Sequence, residues 1–452
     1  MKKLERVIIV GAGFSGTMLA INLLRHDGPA ATLVERAPEP GRGVAYSALV
    51  DDHILNVRAS NMSAYPDDPA HFVRWLAARQ GGTPADFASR RTYGDYLSEL
   101  LDAAAAQASG RLELVHDEAR SLDRRDGALS VSLASGTELH GDAVVLALGN
   151  LPPHDIGPIA AAGLSSDLYA NNPWLPTAGS GLDDGDNVLI IGTGLTMVDT
   201  VLLLRAKGFG GRIYAVSRRG LLPRAHLDHG PAAERLPEKP VSLSSGLVRA
   251  VRQRTEAQDW RASVDQLRPY TQAIWHGASP AEQDRFLRHL RPWWDVHRHR
   301  IAPQVADTLR AMQDQGRLVP LAGKIESLTA DGRSTHVVIR ERGSGALRDL
   351  RVRRIINCTG PQGDLHRTDE PLLLQLIACG MIRADPNRLG IDVSQQSEII
   401  AADGDIQDDI FAVGPMTRGA FWEIVAVPDI RVQAWSLARR LSDAHWVEGE
   451  GL

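Results

Sequence analysis

Two segments of the chain repeat one pattern, and no other feature constrains the fold as strongly. Each has a continuous apolar run, Arg6–Val10 or Asn187–Ile191, followed at once by a glycine turn at Gly11 or Gly192 and then by apolar residues at helical spacing. Such a run is typical of a strand in a parallel sheet that helices cover on both faces. The sequence therefore predicts an α/β fold with two Rossmann-like dinucleotide-binding domains and a helical insertion.

The division of the chain follows from where the later elements are expected. A charged, helical stretch lies beyond the second glycine turn, and an apolar run near 410–413 with a helix from about residue 429 closes the chain. A parallel sheet needs its last strands beside its first ones. The predicted units are a discontinuous first domain of residues 1–175 and 340–452, and an inserted second domain of residues 185–340 that includes the helical insertion 241–315.

Composition excludes several classes of function. The 452 residues carry a net charge of −5, which leaves no excess of basic residues for nucleic acid. No apolar stretch approaches the roughly 20 residues that cross a bilayer, and the first apolar run is too short for a signal peptide. The two cysteines, Cys358 and Cys379, form neither a CxxC pair nor a zinc-ligand set. We expect a cytoplasmic protein without nucleic-acid, membrane or metal partners.

The first glycine turn has the residues that a dinucleotide site requires. Gly11 permits the tight turn, Gly13 lets the backbone approach a pyrophosphate, and Gly16 allows the helix to pack closely on the strand. Glu35 ends the next apolar run and is placed to accept hydroxyls of a ribose. With a second nucleotide site in the same chain, this combination favours FAD here and a nicotinamide dinucleotide in the second unit.

The second glycine turn departs from the strict pattern. Met197 stands at the third glycine position, and the following strand ends in Ser217, Arg218 and Arg219 rather than in an acid. A pair of guanidinium groups suits the 2′-phosphate of NADPH, because each can donate forked hydrogen bonds to phosphate oxygens. NADPH is therefore favoured and NADH stays possible, while a solvated basic turn is the alternative interpretation.

Several further motifs carry a family resemblance across nearly the whole chain. They are GRGVAY at 41–46, LNV at 55–57, NMSA at 61–64, RTYGDYL at 91–97, GTGLTMVD at 192–199, SRRG at 217–220, RPWWDVHRHR at 291–300 and GPMTRG at 414–419. Together with the glycine turns, the chain resembles a bacterial FAD/NAD(P)-binding flavoprotein family that includes an FAD-dependent urate hydroxylase. The wider resemblance is to the two-dinucleotide-binding-domain superfamily of glutathione reductase-like enzymes and class B flavin monooxygenases.

The resemblance implies an FAD-dependent NAD(P)H oxidoreductase. Because thiol-relay, haem and Baeyer–Villiger motifs are absent from the sequence, reduced flavin is expected to react directly with a partner that reaches it. We expect a single-component monooxygenase that inserts one oxygen atom of O2 into a small polar substrate through a C4a-hydroperoxyflavin, with urate as one candidate. The alternative is an NADPH-dependent flavin reductase or oxidase that passes electrons to a partner protein, a quinone or O2. A flavin-binding module without activity is disfavoured, because only a nicotinamide site needs the second glycine turn and its arginines. The sequence leaves the oligomeric state open.

The expected site residues follow from the motifs and the resemblance. FAD is expected to contact Gly11, Gly13, Phe14, Ser15, Gly16, Glu35, Arg36, Arg42, Val44, Tyr46, Asn56, Asn61, Met62, Gly149, Gly414 and Pro428. NADPH is expected to contact Gly192, Thr193, Gly194, Leu195, Thr196, Ser217, Arg218 and Arg219. Asn61, Arg418, Trp422 and Glu423 are candidates for contact with the substrate.

Three of the four substrate candidates have a plainer interpretation. Trp422 can be core packing, Glu423 can form a cap or a salt bridge, and Asn61 can be a turn residue.

The paired histidines His297 and His299 suggest a metal only weakly, because positions two apart point to different faces of a helix. A basic surface over an anionic ligand and a solvated face are the alternatives for that segment.

Overall fold

The structure is a computed structural model that describes residues 4–444 except 49, 126 and most of 229–244, where only Leu236, Pro240 and Leu243 are described. The predicted start of the insertion at residue 241 lies outside the described residues. The strands are β1 (Arg6–Val10), β2 (Ala30–Glu35), β3 (Leu112–His116), β4 (Ala119–Arg125), β5 (Ala128–Leu133), β6 (Glu138–Gly141), β7 (Ala143–Leu146), β8 (Tyr169–Ala170), β9 (Asn187–Ile191), β10 (Arg212–Ser217), β11 (Leu318–Asp331), β12 (Ser334–Glu341), β13 (Leu347–Val352), β14 (Arg354–Asn357), β15 (Glu398–Ile400) and β16 (Ile406–Ala412).

The helices surround these strands, and several short ones form the inserted segment. They are α1 (Phe14–Arg25), α2 (Gly43–Tyr46), α3 (His71–Gln80), α4 (Arg90–Gln107), α5 (Gly157–Ala162), α6 (Leu195–Ala206), α7 (Ser245–Ala257), α8 (Trp260–Asp265), α9 (Thr271–Gly277), α10 (Pro280–Arg285), α11 (Arg291–Arg298), α12 (Pro303–Asp314), α13 (Pro371–Ala378) and α14 (Val427–Leu441). Among the described residues, no helix combines the length and the apolar content that crossing a bilayer requires.

The first sheet is built around β1, which pairs in parallel with β2 and with β7. Its strand order is β15-β16-β7-β1-β2-β3, and only β15 runs antiparallel to its neighbour. Successive residues of β1 face opposite sides, so Ile9 packs with α1 and α14 while Ile8 packs with β4 and β5. The last strand and the last helix of the chain therefore pack with the first glycine unit.

The second sheet has the order β13-β12-β11-β10-β9-β14-β8. β9 pairs in parallel with β10 and β14, whereas β12 and β13 extend the sheet antiparallel to β11. Met197 of α6 is fully buried against this sheet, in the position that Gly16 holds in the first unit. Two sheets whose central strands are parallel, with helices packed on them, confirm the predicted α/β fold class.

Sheet membership adds one observation to the domain prediction. β8 and β14 lie in the ranges 1–175 and 340–452 that were assigned to the first domain, yet both strands belong to the second sheet. The division into 1–175 with 340–452 and 185–340 stays a prediction.

Candidate functional site

One cleft, of about 1820 Å³, lies beside the glycine turns of both units, at the C-terminal ends of β1 and β9. Its lining includes both turns, the segment 291–300 and part of the loop before α14. In open α/β sheets, ligands bind at the carboxyl ends of the strands, which is the edge that this cleft occupies.

The two glycine turns share one structural reason for glycine. Gly11 has a φ of +104°, and a Cβ added there would lie 2.4 Å from the carbonyl oxygen of Ala147. Gly192 has a φ of +112°, and its added Cβ would lie 2.1 Å from the carbonyl oxygen of Cys358. In each unit, the residue after a neighbouring strand lies so close to the turn that only glycine fits there. The turn therefore has no side chain at this position.

Glu35 stabilises the first glycine turn through two hydrogen bonds. Its carboxylate accepts hydrogen bonds from the backbone N–H of Ala12 at 2.7 Å and of Ala37 at 2.8 Å. Carboxylate oxygens can accept further hydrogen bonds beyond these two. The residue thus shapes the turn and still has acceptor capacity for a ribose at the rim of the cleft.

The basic residues expected beside FAD already have partners. Arg42 binds Asp95 at 2.6 Å and Glu39 at 3.0 Å, and Arg36 binds Glu370 at 2.8 Å. These contacts hold both guanidinium groups at the cleft wall, where they also line the cavity.

The aromatic part of this wall surrounds Tyr46. Its ring lies 4.7 Å from that of Tyr93, measured between centroids, and burial raises the pKa of Tyr46 to about 12. The phenol is therefore neutral at physiological pH. Val44 is 56% exposed and lines the cleft, so it is an apolar surface available to a ligand.

In the second unit, side chains order the loop and leave two cations available. Thr193 donates from its hydroxyl to Ser217 at 2.8 Å and to the carbonyl of Leu221 at 2.6 Å. Arg218 and Arg219 line the cleft, and their guanidinium groups contact no hydrogen-bond or ion-pair partner within the described part of the chain. Because these two guanidinium groups form no ion pairs of their own, the geometry favours a role in binding an anionic group.

The structure brings most of the predicted residues to one cavity. Gly16, Gly414 and Pro428 are the predicted residues that do not line it. Gly16 packs under the turn, where an added Cβ would lie 1.9 Å from the carbonyl oxygen of Gly11, and Gly414 lies beside Ser15. Pro428 occupies the first turn of α14, below the cleft-lining residues at the start of that helix.

Asn56, Asn61 and Met62 all line the cleft between the two glycine turns. The carbonyl of Asn56 accepts a hydrogen bond from His226 at 3.0 Å, and burial lowers the pKa of His226 to about 4. His226 is therefore a neutral donor here. The amide side chains of both asparagines have no hydrogen-bond partner among the described residues, so they are available to a ligand.

Glu423 is enclosed by the motif at 291–300. Trp294 donates to its carboxylate at 2.8 Å, and Arg298 and His299 lie 3.1 and 3.6 Å from its oxygens. Burial alone would raise the pKa of Glu423, but His299, Arg298 and the Trp294 hydrogen bond outweigh burial and hold that pKa well below its usual range. The φ of +72° places this non-glycine residue in the left-handed region. The geometry favours the salt-bridge interpretation of Glu423.

Trp422 and Arg418 differ in their surroundings. Trp422 is 5% exposed and stacks on Trp275 with ring centroids 4.6 Å apart, which favours the core-packing interpretation. Arg418 lines the cleft without a hydrogen-bond or ion-pair partner among the described residues. Burial and the nearby Arg291 lower its pKa to about 10, so it remains a cation at neutral pH.

The two histidines of the motif face different partners. His297 donates to the carbonyl of Trp293 at 2.7 Å and packs edge-on against Trp260, whereas His299 faces Glu423. Within the described ranges, no three His, Cys, Asp or Glu side chains are grouped as metal ligands would be.

Sequence reasoning missed a contact between the two units. Arg90 of α4 binds Asp199 of α6 at 3.0 Å and donates to the carbonyl of Ala45 at 3.4 Å. His53 hydrogen-bonds the carbonyl of Asp199 at 2.8 Å. The available signal was Asp199 itself, a charged residue on an otherwise apolar helix that had to be paired if buried.

Residues 8–151 match a protein-family model described as FAD-NAD(P)-binding. Comparison with curated proteins gave no match. The family match confirms the FAD/NAD(P)-binding class predicted for the first unit.

Solved flavoenzymes share the fold over nearly the whole chain. L-lysine 6-monooxygenase from Pseudomonas syringae is 18% identical with a TM-score of 0.66, and 97% of this chain and 99% of that chain are covered. Ornithine N-hydroxylase from Kutzneria sp. 744, with reduced FAD, NADP+ and L-ornithine, is 15% identical with a TM-score of 0.63 and coverages of 97% and 98%. The FAD-bound cadaverine monooxygenase from Erwinia amylovora is 12% identical with a TM-score of 0.64 and coverages of 97% and 94%. These structures confirm the fold class, and the family match supports binding of FAD and a nicotinamide dinucleotide.

Proposed function

We propose that the protein is a single-component, FAD- and NADPH-dependent monooxygenase that inserts one oxygen atom of O2 into a small polar substrate. The observation that carries the proposal is that two glycine cradles open into one cleft, so that two dinucleotides can place their rings together. The monooxygenases that share this fold support the reaction class.

The residues at the first turn fit FAD. Gly11 lets the turn lie against the carbonyl of Ala147, the N-terminus of α1 favours a pyrophosphate, and Glu35 retains acceptor capacity for a ribose. Asn56 and Asn61 present free amides that can orient the edge of the isoalloxazine. FAD, when bound, supplies the hydride acceptor and the oxygen-activating ring.

The residues at the second turn fit NADPH. Gly192 and Gly194 leave the N-terminus of α6 open to a pyrophosphate, and Arg218 with Arg219 provides two unpaired cations for a 2′-phosphate. Trp422 lines the cleft and stacks on Trp275, which packs behind it in the core.

The cysteines disfavour a disulfide reductase. Cys358 is buried, and burial raises its pKa to about 12, so its thiolate is scarcely populated. Cys379 is exposed and does not line the cleft. Electrons from a reduced flavin therefore have no thiol relay on the described part of this chain, which favours direct reaction with O2.

Rapid mixing tests the proposal. The FAD-loaded protein is reduced with NADPH without oxygen and then mixed with O2, while flavin absorbance is followed. A transient near-ultraviolet band that precedes the return of oxidised flavin supports a monooxygenase. Direct return of oxidised flavin indicates the reductase or oxidase alternative, and no reduction by NADPH refutes the proposal. Repeating the measurement with candidate substrates, urate among them, tests the substrate.

A further inference from the structure

One wall of the cleft carries an excess of arginine, and we call it the arginine wall. It is formed by α8, the turn after it, α11 and the loop before α14. Its charged residues at the cleft are Arg261, Arg268, Arg291, Arg298, Arg300, Arg418, Asp265, Asp295 and Glu423. Six arginines therefore face three carboxylates at the cleft.

Each carboxylate of the arginine wall is already engaged. The pairs are Arg300 with Asp265 at 2.5 Å, Arg298 with Glu423 at 3.1 Å and Arg291 with Asp295 at 3.5 Å. Arg261 pairs with Asp259 at 3.3 Å and donates to the carbonyl of Ala225 at 2.9 Å. This leaves Arg268 and Arg418, whose side chains have no hydrogen bond or ion pair to any described residue.

The two remaining arginines are half-buried and have little compensating charge nearby. Burial and Arg298 lower the pKa of Arg268, and burial and Arg291 lower that of Arg418. Asp429, the remaining carboxyl near Arg268, is itself buried, and burial raises its pKa. A charge that is partly removed from water without a partner is costly, so two such guanidinium groups at a cleft indicate a site built for an anion.

We propose that Arg268 and Arg418 form a subsite for the substrate, and that the substrate is a small organic anion rather than a diamine. The inference rests on the proposed function, since it concerns the same cleft. A carboxylate or enolate oxygen can accept forked hydrogen bonds from guanidinium, and the attraction is strengthened where water is excluded. A cationic amine would instead be repelled. The phosphates of both dinucleotides are expected at the helix N-termini of α1 and α6, away from this wall.

Matched probes test the charge of the ligand. The FAD-loaded protein is titrated without NADPH, using benzoate, benzylamine and urate, and the perturbation of the flavin absorption spectrum gives each dissociation constant. We expect benzoate and urate to perturb the spectrum and benzylamine to have no effect. Arg268→Gln and Arg418→Gln are each expected to weaken benzoate and urate binding about tenfold to hundredfold. Arg285→Gln is the control, because Arg285 is an exposed residue of the same insertion that does not line the cleft.

Several results would overturn the proposal. These are binding of benzylamine as tight as that of benzoate, no spectral change with either anion, or anion affinities within twofold of the unmodified protein in both Gln variants. A raised KM for NADPH with unchanged anion affinity would assign the arginines to the coenzyme and also overturn it. Arg418→Lys retains the charge and guards against misfolding, with FAD content as the check. Failure of the proposed function is recognised separately, as absence of flavin reduction by NADPH without any probe.

Discussion

Replacing Glu423 by Gln tests whether the ion pair of its carboxylate stabilises the contact between the helical insertion and the loop before α14. The substitution preserves shape but removes the charge that faces Arg298 and His299. Trp294 can still donate to the remaining carbonyl oxygen. The change therefore isolates the ionic part of the contact.

The magnitude follows from burial. The side chains of Glu423 and Arg298 are 4% and 11% exposed, so the variant leaves a buried guanidinium without its counter-charge. Removing one partner of a buried pair costs about 3–5 kcal/mol, and we expect about 3 kcal/mol because the amide retains one hydrogen bond. The matched control is Glu326→Gln, whose partner Arg340 is 52% exposed and whose loss costs less than about 1 kcal/mol.

Denaturant unfolding and hydrogen exchange at the amides of α11 measure the two variants. Because the folded-state pKa of Glu423 lies below the unfolded value of about 4.3, its stabilisation is complete above that pH and is lost as pH falls towards the folded pKa. The difference between the unmodified protein and Glu423→Gln is thus expected to shrink below about pH 4.3. Equal losses for the two variants at neutral pH, or α11 exchange that Glu423→Gln leaves unchanged, would refute the reasoning.

Three further outcomes are expected. Replacing Arg218 and Arg219 by Ala raises the KM for NADPH and spares that for NADH in steady-state assays, whereas equal effects on both would contradict the 2′-phosphate assignment. Gly11→Ala is expected to lose bound FAD, because the new Cβ would lie 2.4 Å from a carbonyl oxygen. Gly157→Ala, which has open space around it, is the control and is expected to retain FAD. The absorbance of the purified proteins measures the bound FAD. The ring of His226 titrates near pH 4 by NMR, since burial lowers its pKa; a midpoint near 6.5 would exclude the buried neutral ring.

The sequence predicted the parts of the fold that depend on local pattern. The glycine turns at Gly11 and Gly192, the acid at Glu35 and the return of the last strand follow from spacing, because a βαβ unit encodes its own turn chemistry. The membership of β14 in the second sheet did not follow, because a short buried strand carries the same apolar signal in either sheet.

The site was predictable to the same extent. Residues within motifs reached the cleft, but the partners of Glu423 and Asp199 did not follow from the sequence. Arg298 lies 125 residues from Glu423 in the chain, and Arg90 lies 109 residues from Asp199. Contacts over such separations depend on how folded units pack, and no local spacing encodes them.

The contact made by Arg90 has a practical consequence for protein engineering. One guanidinium contacts both Ala45 and Asp199, so it links α2 of one nucleotide unit to α6, the first helix of the other. A chimera that takes its coenzyme module from a different flavoenzyme would bury this cation against a foreign helix. Such a graft should carry an acid at the Asp199 position, or import α4 together with the module.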